Sequence, residues 1–123
     1  MSRPLSDLRG PVRALFSDVD GTMTTGERIE ASTYEAIERL SASGTPIIMV
    51  TGRPAGWGQA FMKMLPVVAV VTENGGLTFV REGRHQHKLY GVPRASLPEW
   101  RRRMNDAAVE VMTKVPGARL SSD

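Results

Sequence analysis

The chain has 123 residues, of which 41% are hydrophobic and 24% charged, a composition typical of one globular domain. It has no cysteine, which excludes disulfide bonds and thiolate metal sites and favours a reducing, cytoplasmic setting. No apolar run approaches the ~20 residues of a membrane-spanning helix. The first residues, MSRPLSDLRGPVR, lack the apolar stretch of a secretory signal. We therefore expect a cytoplasmic protein without a membrane partner.

The net charge of +3 raises the question of nucleic-acid binding. Residues 1–84 hold nine basic and nine acidic side chains, so the whole excess lies in residues 85–123, with seven basic against four acidic. The densest basic run, Arg101 to Arg103, has apolar neighbours at helical spacing, which is typical of a solvated helix face. Nucleic acid is therefore not an expected partner.

The first half of the chain alternates predicted strands and helices. Residues 12–17 predict a strand, and Ser32 with Glu35 predicts a capping box for a helix that ends at Gly44. The runs PIIMV (46–50) and VVAVV (67–71) are apolar without alternation, which predicts strands covered on both faces of a parallel sheet. A helix between them is predicted by the spacing of Trp57, Ala60, Phe61, Met64 and Leu65. This order implies a doubly wound parallel α/β sheet, which binds ligands at the carboxyl ends of its strands.

The pattern changes after residues 77–81, which predict a further strand followed by a polar loop through Gly83 and His87. Ser96 and Glu99 predict a second capping box, for a helix of about 17 residues that stops before Pro116. We place a domain boundary near residue 84. Residues 1–84 form the first unit and residues 85–123 the start of a second, in which residues 118–122 resemble the beginning of a strand.

Two histidines, His85 and His87, are spaced so that they would share one side of a strand. Such a pair suggests metal ligation, but with no third ligand nearby in the sequence we interpret them as exposed loop residues.

Polar residues follow each of the first three predicted strands: Asp18, Asp20, Gly21 and Thr22 the first, Thr51, Gly52 and Arg53 the second, and Thr72, Glu73 and Asn74 the third. In this topology the three strand ends converge. Two carboxylates two residues apart, followed by a glycine, suit a hard cation and a nucleophile paired with an acid. A phosphoryl group fits such a site, because its charge needs a metal and converging donors.

Each segment alone also has a plainer interpretation. The Asp-x-Asp-Gly run could be a turn, but not an EF-hand, because positions six and twelve from Asp18 are Met23 and Ile29 instead of Gly and Glu. Residues 51–53 could be a strand-to-helix turn with Thr51 as its cap, and residues 73–76 a turn.

Together and in this order, DVDGT (18–22), TGR (51–53) and ENGG (73–76) resemble the haloacid dehalogenase superfamily of phosphatases and phosphotransferases. The last motif resembles its Cof-like branch, subfamily IIB, which carries an α/β cap and includes sugar-phosphate phosphatases and phosphomannomutase. The resemblance covers residues 12–84. It implies a Rossmann-like core in residues 1–84 and the beginning of a cap in residues 85–123.

The resemblance also implies roles for individual residues. Asp18 would be the nucleophile that takes the phosphoryl group as an aspartyl phosphate, and Asp20 the general acid and base. Phosphate or substrate contacts are implied for Thr51, Gly52, Arg53 and Asn74. Magnesium, the implied cofactor, would be held by the Asp18 carboxylate and the Asp20 backbone carbonyl.

The sequence departs from the family pattern in two respects. The family also uses a lysine that steadies the phosphoaspartate and a later acidic cluster, yet the only lysines are Lys63, Lys88 and Lys114, and Asp106 lies in mid-helix. We therefore expect the N-terminal part of the core plus the first cap helix, which is nearly inactive alone. A sheet truncated in this way exposes an apolar edge and face, which predicts self-association or binding of a complementing C-terminal piece.

The function implied is that of a magnesium-dependent hydrolase acting on a sugar phosphate or similar small phosphorylated metabolite. Two alternatives remain open. A phosphomutase would isomerise a hexose phosphate without releasing phosphate, and a non-catalytic module would bind a partner.

Overall fold

Five strands form one sheet and are ordered across it as they are along the chain. The computed structural model describes residues 5–7 and 10–120. Its strands are β1 (Leu15–Asp18), β2 (Ile47–Val50), β3 (Ala69–Thr72), β4 (Leu77–Glu82) and β5 (His85–Tyr90). Its helices are α1 (Ala31–Ala42), α2 (Ala55–Met64) and α3 (Leu97–Lys114), with short 3₁₀ turns at Leu5–Asp7, Glu73–Gly75 and Arg94–Ser96. The first three strands are parallel and the last two antiparallel, which confirms the predicted α/β fold class.

The core lies on one face of this sheet. Ile47, Met49 and Val70 are fully buried there, in one cluster with Ile37 of α1 and Met62 of α2. The prediction that the second and third strands are covered on both faces is wrong for the described residues. Burial alternates along β2 and β3 instead, because both crossover helices pack into the same cluster.

The other face of the sheet carries Phe16, Val50 and Leu89, which are 69%, 38% and 58% exposed. Phe16 pairs with Ile48 in the ladder, and residues that oppose one another in a ladder point to the same face. We call the side chains of Phe16, Ile48, Val50, Val71, Val80 and Leu89 the open face, since they are exposed or only half-buried. β1 is an edge strand of the described sheet.

Both predicted capping boxes are wrong. The N-cap of α1 is Glu30 and that of α3 is Ser96, and neither makes a side-chain cap hydrogen bond. Ser32 lies inside the first turn of α1, and Glu99 accepts a hydrogen bond from Arg102 Nη2 at 2.8 Å instead.

Element ends also differ from the predicted ones. β1 begins at Leu15 and leaves Val12 outside it and exposed, while β3 begins at Ala69 and leaves the buried Val67 before it. Along α2 the buried residues are Gly58, Phe61 and Met62, with Leu65 following, whereas Trp57 is 48% exposed. Gly58 allows this close packing, because a Cβ there would collide with Thr72 and Phe79.

The predicted polar loop through His87 is a strand from His85 onward. β5 pairs with β4 from Glu82–His85 to Leu77–Tyr90, which leaves a two-residue hairpin turn at positions 83 and 84. His87 is exposed as expected, and its Nε2 lies 2.8 Å from Glu82 Oε2. The domain boundary near residue 84 therefore falls at this turn and stays a prediction.

The helix α3 has the predicted position, but it buries none of its described residues. Trp100 and Met104, on its predicted packing face, are 45% and 66% exposed. Residues 118–120 are not in a strand, and positions 121 and 122 of the predicted strand lie outside the described residues. Among the helices described, α3 included, there is none with the length and apolar character needed to cross a bilayer.

Candidate active site

The loop after β1 is a tight turn built on one buried carbonyl. The oxygen of Val19 accepts hydrogen bonds from the backbone nitrogen and Oγ1 of Thr24, at 3.0 and 3.2 Å. Thr24 Oγ1 in turn accepts a hydrogen bond from the nitrogen of Gly21 at 3.1 Å. Gly21 has a φ of +74°, which glycine adopts without strain. This turn fixes the backbone that carries Asp18 and Asp20.

The loop after β2 is tied to the neighbouring strand and to the first loop. Thr51 is buried, and its nitrogen donates to Val71 O at 2.9 Å. Its Oγ1 accepts a hydrogen bond from the nitrogen of Arg53 at 3.1 Å and lies 3.4 Å from Asp20 Oδ2, to which it donates. A side chain predicted to contact phosphoryl oxygens therefore touches the predicted acid.

The Arg53 side chain links the loop after β2 to the loop after β1. Its Nε lies 2.9 and 3.0 Å from the two carboxylate oxygens of Asp20, and its Nη2 lies 2.5 Å from Oδ1. This hydrogen bonding lowers the pKa of Asp20 below its usual value, against a smaller opposing effect of desolvation. The guanidinium also lies over the indole of Trp57, with Cζ 4.3 Å from the ring centroid.

The loop after β3 holds an unusual backbone. Glu73 and Asn74 both have φ near +50°, at +54° and +52°, a conformation that costs free energy for residues other than glycine and is concentrated at functional sites. Glu73 is tied to the second loop, since its nitrogen donates to Arg53 O at 3.1 Å and its Oε1 accepts from the nitrogen of Ala55 at 2.9 Å. The Asn74 side chain lies against Gly52, where an added Cβ would be 2.9 Å from Asn74 Oδ1.

The structure thus brings Asp20, Thr51, Gly52, Arg53 and Asn74 to one edge of the sheet, as predicted. Asp18 is the last residue of β1, is exposed, and pairs in the ladder with Val50, the residue before Thr51. The roles of these residues in binding or catalysis remain predictions.

The oxygens at this edge suit a hard cation in type. Magnesium is commonly held by one or two carboxylates and otherwise by water and substrate phosphate, and Asp18 and Asp20 supply a carboxylate and a backbone carbonyl. Within the described ranges, 5–7 and 10–120, no group of three His, Cys, Asp or Glu residues is arranged to hold a metal ion. The two residues are nevertheless of the chemical type that magnesium prefers.

None of the three lysines belongs to these loops. Lys63 is exposed on α2, Lys88 lies on β5 with Nζ 5.6 Å from the Phe79 ring centroid, and Lys114 pairs with Glu110. Asp106 pairs with Arg102 on α3. The placement of these side chains agrees with the departure noted in the sequence.

Sequence reasoning missed two residues of the site, Trp57 and Thr24, and one contact, that of Glu73 with α2. Trp57 fits the apolar stripe that predicts a core residue, and its contact with Arg53 appears only in the structure. Thr24, two residues after the DVDGT motif, stabilises the first loop, but its burial is visible only in the structure. The contact of Glu73 with the start of α2 joins residues 18 apart, and sequence spacing gives no sign of it.

Comparison with known proteins defines the family. A family model described as haloacid dehalogenase-like hydrolase matches residues 15–91, well over half of the chain. The chain therefore belongs to the haloacid dehalogenase-like hydrolases, and the family predicted from the three motifs is confirmed.

Two curated relatives are named phosphoglycolate phosphatase. The protein of Methanobrevibacter smithii is 37% identical over 70 residues, which are 55% of this chain and 30% of the relative. The protein of Methanothermobacter thermautotrophicus is 32% identical over 73 residues, 58% of this chain and 33% of the relative. The chain thus spans about a third of the length of the curated relatives it matches.

A solved structure extends the likeness across most of the chain. A hypothetical protein from Geobacillus kaustophilus HTA426 matches with a TM-score of 0.60 and 28% identity, over 85% of this chain and 38% of its own. This coverage includes more of the chain than the family model does.

Proposed function

We propose that this chain carries the phosphoryl-transfer residues of a phosphatase that acts on small phosphorylated metabolites. The observation that carries the proposal is the contact of Asp20 with both Thr51 and Arg53, next to Asp18 and at the carboxyl ends of parallel strands. Acid, hydroxyl and guanidinium groups thereby converge where a phosphoryl group needs them. The lack of cysteine supports a reducing compartment such as the cytoplasm.

The proposed reaction has two steps. With Asp20 first protonated from solvent, an Asp18 carboxylate oxygen attacks phosphorus, the bond from phosphorus to the ester oxygen breaks, and the Asp20 carboxyl gives its proton to the leaving alcohol. Water then attacks the aspartyl phosphate and loses a proton to Asp20, which releases inorganic phosphate and restores Asp18. General acid and base catalysis of this kind contributes roughly 10² to 10⁴ in rate.

A magnesium ion held by the Asp18 carboxylate and the Asp20 carbonyl would supply positive charge against the phosphoryl oxygens. Thr51 would donate a hydrogen bond to those oxygens, and Gly52 and Asn74 would shape the wall around them.

The names of the relatives support hydrolysis over isomerisation, because both curated relatives are phosphatases. The Cof-like motif ENGG supports a sugar phosphate, whereas the relatives act on phosphoglycolate by name. Both substrates are small phosphomonoesters, and we propose that class.

Labelling of Asp18 tests the proposal without depending on rapid turnover. The purified chain is incubated with magnesium and acetyl phosphate, and peptides are analysed by mass spectrometry. We expect the mass of one phosphoryl group on the peptide that contains Asp18, and its loss on treatment with hydroxylamine, which cleaves acyl phosphates.

The matched controls are Asp18→Asn and Asp106→Asn. The first should abolish labelling because an amide is a poor nucleophile, and the second should leave it unchanged because Asp106 lies on α3 in a surface ion pair. Labelling that persists in Asp18→Asn, or its complete absence from the parent chain, would contradict the proposal.

A further inference from the structure

Arg53 lies between two groups that hold it in different ways. Its Nε and Nη2 donate to the Asp20 carboxylate at 2.5 to 3.0 Å, while its guanidinium face stacks on Trp57 at 4.3 Å. The Arg53 side chain is 19% exposed and that of Asp20 is 48% exposed. A charged pair with one exposed member can exchange its partner for a ligand from solvent.

The carboxylate contact conflicts with the proposed role of Asp20. Both of its oxygens accept hydrogen bonds from Arg53, and Oδ2 also accepts one from Thr51. An acid that delivers a proton to a leaving oxygen needs one of these oxygens free to face the substrate. Asp20 must therefore be released before the reaction.

A phosphoryl group can displace the Asp20 carboxylate from the guanidinium of Arg53. A guanidinium binds phosphate oxygens with the same planar pair of donors that it offers a carboxylate, and a phosphomonoester at neutral pH carries more negative charge than one carboxylate. A phosphoryl group that enters the site thus competes with Asp20 for the same N–H groups.

Trp57 is placed to keep Arg53 in position during this exchange. Stacking uses the face of the guanidinium and leaves its N–H edge free to bind another group. Trp57 is itself anchored, since its ring lies 5.8 Å from that of Phe61, which is buried in the core. The indole therefore provides a fixed surface on which the guanidinium can turn.

We propose that Arg53, held against Trp57, is a latch that binds Asp20 in the empty site and moves to the phosphoryl group of the substrate, which frees Asp20. Trp57 is then a positioning residue that acts through Arg53. This inference rests on the proposed function, because it assumes that the loops bind a phosphoryl group.

Fluorescence of Trp57 reports the latch directly. The chain has two tryptophans, and Trp100→Phe leaves Trp57 as the only tryptophan, whose emission is excited selectively at the red edge of the absorption band. Inorganic phosphate is titrated into this variant with magnesium present and ionic strength held constant. We expect a saturable change in emission, and none with acetate, which carries a single carboxylate.

Three variants in that background show whether the signal comes from the latch. Arg53→Gln should abolish it, whereas Arg39→Gln, which removes an exposed arginine of α1, should leave it unchanged. Asp106→Asn, which removes a carboxylate of α3 in a surface ion pair, should also leave it unchanged. An unchanged emission on phosphate binding, or a signal that survives Arg53→Gln, would overturn the latch.

A double-mutant cycle separates the latch from simple repulsion between Asp20 and phosphate. Phosphate affinity is measured by equilibrium dialysis. Asp20→Asn should tighten binding by up to about fivefold when Arg53 is present, the amount expected from loss of one exposed ion pair, and by clearly less in Arg53→Gln. Equal tightening in both backgrounds would mean that Asp20 only repels phosphate, and the latch would be wrong.

The role of Trp57 is tested by rescue. Trp57→Leu should weaken phosphate binding, and Trp57→Phe should restore most of it, because phenylalanine keeps an aromatic face under the guanidinium. Equal loss in both variants would contradict a stacking role. If Asp18 is labelled by acetyl phosphate while these tests fail, the latch is wrong and the proposed function is still supported. If labelling also fails, both the latch and the proposed function are contradicted.

Discussion

The two faces of the sheet are similar in sequence and opposite in environment. Ile47 and Met49 on the covered face are fully buried, whereas Phe16 and Val50 on the open face are 69% and 38% exposed. All four lie on the two neighbouring strands β1 and β2. An apolar strand therefore predicts that a covering element belongs on each face, but not that the described chain supplies both.

The largest expected effect comes from paired substitutions on the two faces. Ile47→Ala should lower the free energy of unfolding by about 2–5 kcal/mol, because it leaves a cavity in the buried cluster. In samples dilute enough for the chain to be monomeric, Phe16→Ala should change it by only about 0.5 kcal/mol, the usual range for a surface position. Urea denaturation followed by circular dichroism measures both. A loss at Phe16 as large as that at Ile47 would show that the open face is covered in solution.

A smaller effect concerns what the open face does in the isolated chain. We expect the isolated chain to self-associate through the open face and the unpaired edge of β1, since exposed apolar patches and unpaired edges favour association. Light scattering should show an apparent mass above that of one chain, which falls toward the monomer in Val50→Lys. Lys63→Glu, on the exposed surface of α2, is the control. A chain that stays monomeric at every concentration would show that the open face behaves like any other exposed surface.

The smallest expected effect is that of removing the ion pair between Arg53 and Asp20. Arg53→Gln should lower the free energy of unfolding at neutral pH by less than about 1 kcal/mol, because the pair is partly exposed and screened by solvent. Arg53 lowers the pKa of Asp20 from 3.8, so the contribution is present above pH 3.8 and is lost as the pH falls through the lower, folded-state value.

Denaturation of parent and variant at a series of pH values measures this difference, with Arg39→Gln as the control. The gap between parent and Arg53→Gln should close in acid. A gap that is the same at neutral and acid pH would show that the arginine stabilises the fold by packing on Trp57 instead of by its charge.

The fold class and the three motif segments could be predicted because they depend on local patterns. Buried strands are apolar, and polar residues follow them where the strands end. Helix caps could not be predicted in the same way, because a capping box requires a particular backbone conformation at Ser96, whose φ and ψ are −85° and −12°. β5 was missed because its first four residues, HQHK, are polar, and its pairing with β4 comes from backbone hydrogen bonds.

The candidate site was predicted as a set of residues but not as a set of contacts. Asp20 and Arg53 are 33 residues apart, so nothing in their spacing shows that they pair. Trp57 fits a helical apolar stripe with Phe61, and only the position of the Arg53 side chain distinguishes a stacking surface from a core residue. Contacts between loops depend on how side chains meet in space, which one sequence does not encode in its spacing.

The order of strands also bears on how the molecule assembles. β3, β4 and β5 follow one another through short turns, so their pairing closes small loops, whereas pairing of Leu15 with Ile47 closes a loop that contains α1. Closing longer loops costs more chain entropy and slows folding. The pairing of β3, β4 and β5 can therefore form early. The pairing of β1 with β2, which brings Asp20 to Arg53, forms late. A ligand that contacts both Asp20 and Arg53 would therefore bind only molecules in which this most distant pairing is complete.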